Sequence, residues 1–197
     1  MIPELPLNLV SRLDRRLATA VTATTSPFTG TQEVQDWGGE WWEYQVTLAL
    51  MKPADGRRLS AFFAALGGSR GRFLFHDPSI EPPGQTGEGV VAANNQTGNA
   101  LLTMGWLSER PLLKAGDFFS LGQDAATRLY QVTEDVSSDA TGEATLRFVP
   151  RLRSSPPAGA ELNVGRPKAV LRLNEPVSAQ VGRAGKYQIT FSAREAL

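Results

Sequence analysis

The sequence predicts a mostly β protein with one amphipathic helix. Three observations predict it. An aromatic stretch from Glu40 to Leu50 alternates with a period of two. One helical stripe, Leu59, Phe62, Phe63 and Leu66, follows at i, i+3, i+4 and i+7. Elsewhere, short runs of β-branched and aromatic residues are separated by glycine, proline and aspartate turns.

The 197 residues suffice for one large or two small domains. Hydrophobic residues make up 41% and charged residues 20%, which excludes a disordered chain. The 20 basic and 20 acidic residues cancel. No global field therefore draws the chain to nucleic acid or to an anionic membrane. A local strip of Arg147, Arg151, Arg153 and Arg166 reads as a solvated strand edge. The absence of cysteine excludes disulfides, thiolate nucleophiles and cysteine-ligated metals, and it fits folding in a reducing cytoplasm. No apolar run approaches the ~20 residues of a membrane-spanning helix. The start, Met1 to Pro6, lacks a basic region followed by an apolar run, so no signal peptide is expected.

Residues 1–15 read as an extended arm, with Pro3 and Pro6, leading to a strand near Arg16–Thr25. Ser26-Pro27-Phe28-Thr29-Gly30 is turn chemistry, because proline presets φ and glycine permits positive φ. Gly38-Gly39 reads as a second turn. From there Trp42, Tyr44, Val46, Leu48 and Leu50 share one face, and Glu43, Gln45 and Thr47 the other. Trp41 is the one large apolar residue on the polar face. Pro53 and Asp55 suit a first helical turn, and Gly67-Gly68 supplies the stop, so the helix is expected over residues 55–66. A basic turn, Ser69-Arg70-Gly71-Arg72, leads to the strand Phe73–His76.

Residues 79–99, rich in proline, glycine and asparagine, fit no period and read as a loop or linker. Strands resume at 100–106, 117–121, 127–133 and 145–149, a spacing that predicts a small barrel. Two more follow at 168–173 and 186–191. The expected organisation is a first β module of residues 1–78 and 166–197, interrupted by a small barrel over 100–165.

Nothing in this pattern assembles a catalytic, cofactor or metal site. His76, the one histidine, and Asp77 are strand neighbours facing opposite ways, which defeats a triad. Asp135, Asp139 and Glu143 lack the spacing of a calcium loop. Neither glycine cluster has phosphate-loop spacing. Glu40 and Glu43 point to opposite faces and cannot bracket one glycosidic bond. Exposed Trp37, Trp41 and Trp106 leave carbohydrate binding as one alternative, and a hydrolase of unrecognised type as another. The preferred assignment for Phe28, Trp37, Trp41, Arg70 and Arg72 is subunit interface.

The run from Ser26 through Gly30, then Asp36-Trp37-Gly38-Gly39-Glu40-Trp41-Trp42-Glu43, resembles tail proteins of long-tailed bacteriophages. Phe62 to Gly68 with Gly71-Arg72-Phe73-Leu74-Phe75 extends the likeness. So do Lys114-Ala115-Gly116-Asp117-Phe118-Phe119-Ser120-Leu121 and Leu146-Arg147-Phe148-Val149-Pro150. The nearest resemblance is to distal tail proteins. It implies a tail-tube-like β-sandwich or barrel module carrying an OB-like small barrel. It also implies a hexameric homo-oligomeric ring between the tail tube protein and the hub or fibre protein, in the virion at the tail tip. Such a protein is made in the host bacterial cytoplasm, has no cofactor and no membrane or sequence-specific nucleic-acid partner, and is not an enzyme. The alternative within the class is another tube or terminator component.

Overall fold

The computed structural model describes residues 1–6 and 9–197. In chain order, the elements open with β1 (Val10–Thr25), β2 (Gln32–Leu48), helix α1 (Pro53–Leu66), β3 (Phe73–Phe75), β4 (Gly87–Val91) and β5 (Ala100–Trp106). Next come β6 (Pro111–Leu113), β7 (Phe118–Leu121), β8 (Arg128–Val132), β9 (Val136–Ser137) and β10 (Ala144–Val149). The chain closes with β11 (Leu162–Asn163), β12 (Ala169–Leu173), β13 (Ala179–Val181) and β14 (Tyr187–Glu195). Among the described residues the protein is thus mostly β with a single α-helix.

One antiparallel sheet runs β1-β2-β14-β12-β3, with β13 added beside the first half of β14. Its alternating apolar face and one face of α1 bury a common core. Leu59 and Phe63 of α1 pack with Tyr44, Phe73, Phe75 and Phe191 of the sheet. Phe62 sits at the margin of this core, partly buried against Phe63 and Phe73. α1 starts at Pro53, two residues before the expected Asp55. It ends where Gly67 adopts the left-handed conformation and bonds back to Ala64. Leu50 departs from the expected face: β2 stops at Leu48, Leu50 is exposed, and Met51 is buried in its place, paired to Tyr187.

The second sheet runs β11-β7-β8-β10-β5-β4 and is nearly closed into a barrel. Its ends meet through Val91 N donating to Ala160 O at 2.9 Å and Gly159 N donating to Val91 O at 2.8 Å. Closure removes free edges. Phe119, Tyr130, Leu146 and Phe148 fill it. This sheet recruits β4, so the expected loop over 79–99 contains a strand whose Val91 is fully buried. The second sheet therefore begins upstream of residue 100. Glycine hid the strand, and the glycine is there for packing. Gly89 lies beneath the Trp106 ring, where a Cβ would collide with it.

The amino-terminal segment differs from the free arm expected. Pro3 to Leu5 lies along β3 with Leu5 N donating to Leu74 O at 3.0 Å and Leu74 N donating to Pro3 O at 2.9 Å. Glu4 takes Lys168 and Arg166 at 2.7 and 3.1 Å. The segment thereby covers the β3 edge of its own sheet. β1 also begins six residues earlier than expected, at Val10, so the 1–15 arm is shorter than its sequence implied.

Candidate functional site

β1 and β2 continue beyond the body as a two-stranded ribbon. From Val21 to Trp37 every residue except Ser26 is exposed, whichever face of the ribbon it occupies. The five β1 residues 21–25 alone extend it by about 17 Å at ~3.3 Å per residue. The sequence builds this arm locally. Ser26 N donates to Thr31 O at 2.9 Å, and Gly30 N donates to Ser26 O at 3.0 Å with Gly30 at φ 70°. Threonine and valine hold the flanking strands extended.

Gly38-Gly39 forms no turn. Thr19 pairs with Glu40 and Val21 with Asp36, so Ala20 alone faces Trp37, Gly38 and Gly39. This is an enlarged bulge inside β2. Gly38 adopts φ 72°, and its N–H donates to Asp36 Oδ1 at 2.7 Å. Glycine marks positive φ in turns and bulges alike. The bulge bends the ribbon where it leaves the body. Arg151, just past β10, steadies that point. Its N–H donates to Glu40 Oε2 at 2.7 Å, and its guanidinium lies 3.5 Å from Asp36 Oδ2.

Below the bulge the arm is anchored by a buried polar cluster. Arg15 of β1 pairs with Asp77, and its guanidinium lies over the Phe118 ring at 4.0 Å. Asp77 Oδ1 also accepts from Ser79 N at 2.8 Å. The Trp42 ring N–H donates to Leu129 O at 3.0 Å, tying the first sheet to the barrel. Glu195 Oε2 accepts from Trp42 N at 3.3 Å and from Arg153 at 3.1 Å. Burial raises the Glu195 carboxyl above its ordinary range, with Arg153 opposing the shift. Burial likewise raises the Tyr44 phenol, whose OH has no hydrogen-bond partner among the described residues.

The expected interface residues fall in two places. Phe28 crowns the arm, 95% exposed, and Trp37 stands in the bulge, 71% exposed. Trp41, nearer the body, is half-buried, and its ring N–H donates to Glu43 Oε1 at 2.9 Å. That bond, with Arg16 second, lowers the Glu43 carboxyl. Arg70 and Arg72 are exposed but lie after α1, apart in sequence from the arm. Val21 and Val34 add exposed apolar surface to the arm and were missed, because neither belongs to an alternating pattern with a buried face.

The chemical alternatives fare as follows. His76 Nδ1 contacts Pro167 O at 2.9 Å, while Asp77 serves Arg15 and Ser79. Each arginine of the supposed basic strip has a carboxylate: Arg147 with Glu134, Arg151 with Asp36, Arg153 with Glu195, Arg166 with Glu4. Asp139 Oδ1 accepts from the Thr141 hydroxyl, Thr141 N and Glu143 N, a turn role that lowers its carboxyl. No acidic or histidine cluster of metal-site geometry occurs among the described residues. Trp106 is buried with its ring N–H on Thr103 Oγ1 at 2.7 Å, so it offers no sugar-stacking face. Among the described residues no helix is long and apolar enough to cross a membrane. Compared with known proteins, the chain matches no family model and no curated protein.

Proposed function

We propose that this chain is a structural subunit of a bacteriophage tail, a distal tail protein. Copies form a hexameric ring that joins the tail tube to the central hub or fibre. The observation that carries this reading is the β1–β2 arm. A two-stranded ribbon exposed on both faces has no core of its own and is marginal alone in water. Its Phe28, Trp37, Val21 and Val34 are large apolar groups in solvent. Such surface marks a partner. β1 is also the edge of its sheet, whereas the β3 edge is covered. An uncovered long edge joins readily to the next copy, and head-to-tail joining around an axis closes a ring. The likeness to tail proteins supplies the biological setting.

Native mass spectrometry of the purified chain and cryo-electron microscopy of virions test this. The expected result is six copies in one ring at the distal end of the tube. A copy number that grows with tube length would assign the chain to the tube itself, and a ring at the head-proximal end would assign it to the terminator. A monomer in virions, or binding to a glycan array through Trp37, would overturn the ring.

A further inference from the structure

The net charge of zero conceals two surfaces of opposite sign. From Leu17 to Met51 there is no lysine or arginine, while Glu33, Asp36, Glu40 and Glu43 are present. From Lys52 to Arg72 the balance reverses, with Lys52, Arg57, Arg58, Arg70 and Arg72 against Asp55 alone. These five cations are exposed and form no ion pair among the described residues. Glu33, on the arm, forms none either.

Beside α1 lies an open groove of about 290 Å³. Phe63 and Ala64 of the helix, Pro176, Val177 and Ala179 of the segment leading into β13, and Ile189 of β14 line it. Ser60 and Ala64 line the groove, and Arg57 precedes them on the same helix face at i, i+3 and i+7. Gly68 also lines it, and Arg70 and Arg72 follow Gly68 in the sequence. A cavity of about 150 Å³ already takes up benzene, so there is room for a phenyl ring.

We infer that the acidic, phenylalanine-tipped arm of one copy docks in the groove beside the cation-bearing helix of the next, with Phe28 as the inserted side chain. The inference rests on the ring reading and names its contact. Charge sets the choice of occupant. The arm carries Glu33, exposed and without an ion pair among the described residues, whereas α1 and the turn after it carry five exposed cations against Asp55; Glu175 adjoins Pro176 beside the groove. Arm and groove are different patches of one surface. A one-way contact between them is heterologous and propagates around an axis, whereas reciprocal exchange of arms would end at a two-fold dimer, a result that overturns the contact proposed for the ring. Charge complementarity fixes orientation and partner, and the aromatic anchor supplies affinity.

Two variants of the full chain test this. The arm variant is Phe28→Ala with Glu33→Lys. The groove variant is Ala64→Trp, which fills the groove from an exposed position, with Arg57→Glu. All four sites are exposed, so folding is retained, and circular dichroism verifies it. Sedimentation and native mass spectrometry of each variant alone should show monomer at concentrations where the wild type forms rings, a weakening of at least about tenfold. An equal mixture retains one intact arm and one intact groove per pair, so it should stop at a 1:1 dimer. Wild-type rings that persist in either variant overturn the arm-in-groove contact while leaving the ring standing. A wild type that forms no closed ring, alone or in virions, defeats the ring reading itself. An arm that binds only a tube or hub protein, with no self-association, also overturns the inference.

Discussion

Gly56→Ala is the substitution for which local and tertiary physics give opposite signs. Gly56 lies in the first turns of α1, its N–H donating to Lys52 O at 3.0 Å. Alanine is favoured over glycine in a helix interior by about 1 kcal/mol, so propensity alone predicts stabilisation. The structure predicts the reverse. A Cβ at Gly56 would overlap Cβ and Cγ of Tyr187. Those atoms sit at the root of the side chain, so no rotation of the ring relieves the overlap. Helix and β14 must separate, and Met51, paired to Tyr187 in both directions at 3.0 and 3.1 Å, resists that. Overpacking of this kind costs about 1–3 kcal/mol, which leaves a net loss of up to about 2 kcal/mol after the propensity gain.

Urea unfolding measures it. The midpoint of Gly56→Ala should fall with an unchanged slope. The decisive comparison is a cycle with Tyr187→Gly, which removes both overlapping atoms, Cβ and Cγ. In that background the obstacle is gone, and Gly56→Ala should become stabilising by up to about 1 kcal/mol. Stabilisation by Gly56→Ala in the otherwise wild-type chain, or a loss that persists without Tyr187, would refute the close approach of α1 and β14.

Further outcomes follow from burial and charge. Phe63→Ala should cost about 3–5 kcal/mol in chemical unfolding, and Phe62→Ala distinctly less, because Phe63 is enclosed and Phe62 is at the margin; equal losses would contradict that placement. Asp77→Ala removes the carboxylate that Arg15, itself partly solvated, and Ser79 N share, and should cost about 1–3 kcal/mol by the same measurement. The Glu195 carboxyl is raised in the folded state, chiefly by burial, so the folded form holds its proton to higher pH than the unfolded form. Stability should therefore fall, relative to Glu195→Gln, as pH rises from the usual carboxylate range through the raised value. Melting temperatures of both proteins between pH 4 and 8 read this out, and an opposite slope would count against it. The arm offers trypsin no site from Leu17 to Met51, whereas a glutamate-specific protease should cut at Glu33 in the free subunit and fail to cut in the ring.

The sequence was most readable where one face of an element is buried. The lower half of β2 alternates from Trp42 to Leu48 because Trp42, Tyr44, Val46 and Leu48 enter the core while Gln45 meets solvent. α1 was bounded to within two residues by Pro53, its apolar stripe and Gly67. The upper half of β2 gave no such signal. With both faces in water, Gln32 to Trp37 has no reason to alternate, and Gly38-Gly39 imitates a turn. β4 was concealed for the opposite reason. Its Gly89 is fixed by the Trp106 ring, a contact 17 positions away along the chain that no local pattern reveals. The strands β9 and β11, two residues each, are too short to carry a period at all.

The candidate site was legible as residue types but not as surfaces. Phe28 and Trp37 announce themselves as aromatics near positive-φ glycines, Gly30 of the turn and Gly38 of the bulge, and both are exposed. Arg70 and Arg72 carry no comparable mark, since a basic glycine-rich turn is ordinary. What gives them meaning is segregation, and a sum over the whole chain erases it. Arg15, Arg16, Arg151 and Arg153 are spent inside the molecule or at the arm's base, on Asp77, Glu43, Asp36 and Glu195. Once these are removed, Glu33 is the acid left without an ion pair on the arm, and Lys52, Arg57, Arg58, Arg70 and Arg72 are the unpaired cations on and around α1, among the described residues. Between exposed charges at physiological ionic strength the field decays over about 8 Å. In the proposed ring, a neutral chain of this kind feels no long-range repulsion from its copies, and the opposite charges of arm and helix would orient them at close range. Neutrality and polarity together favour ordered self-association over indiscriminate sticking. A globally charged ring would instead have to overcome repulsion among all of its subunits.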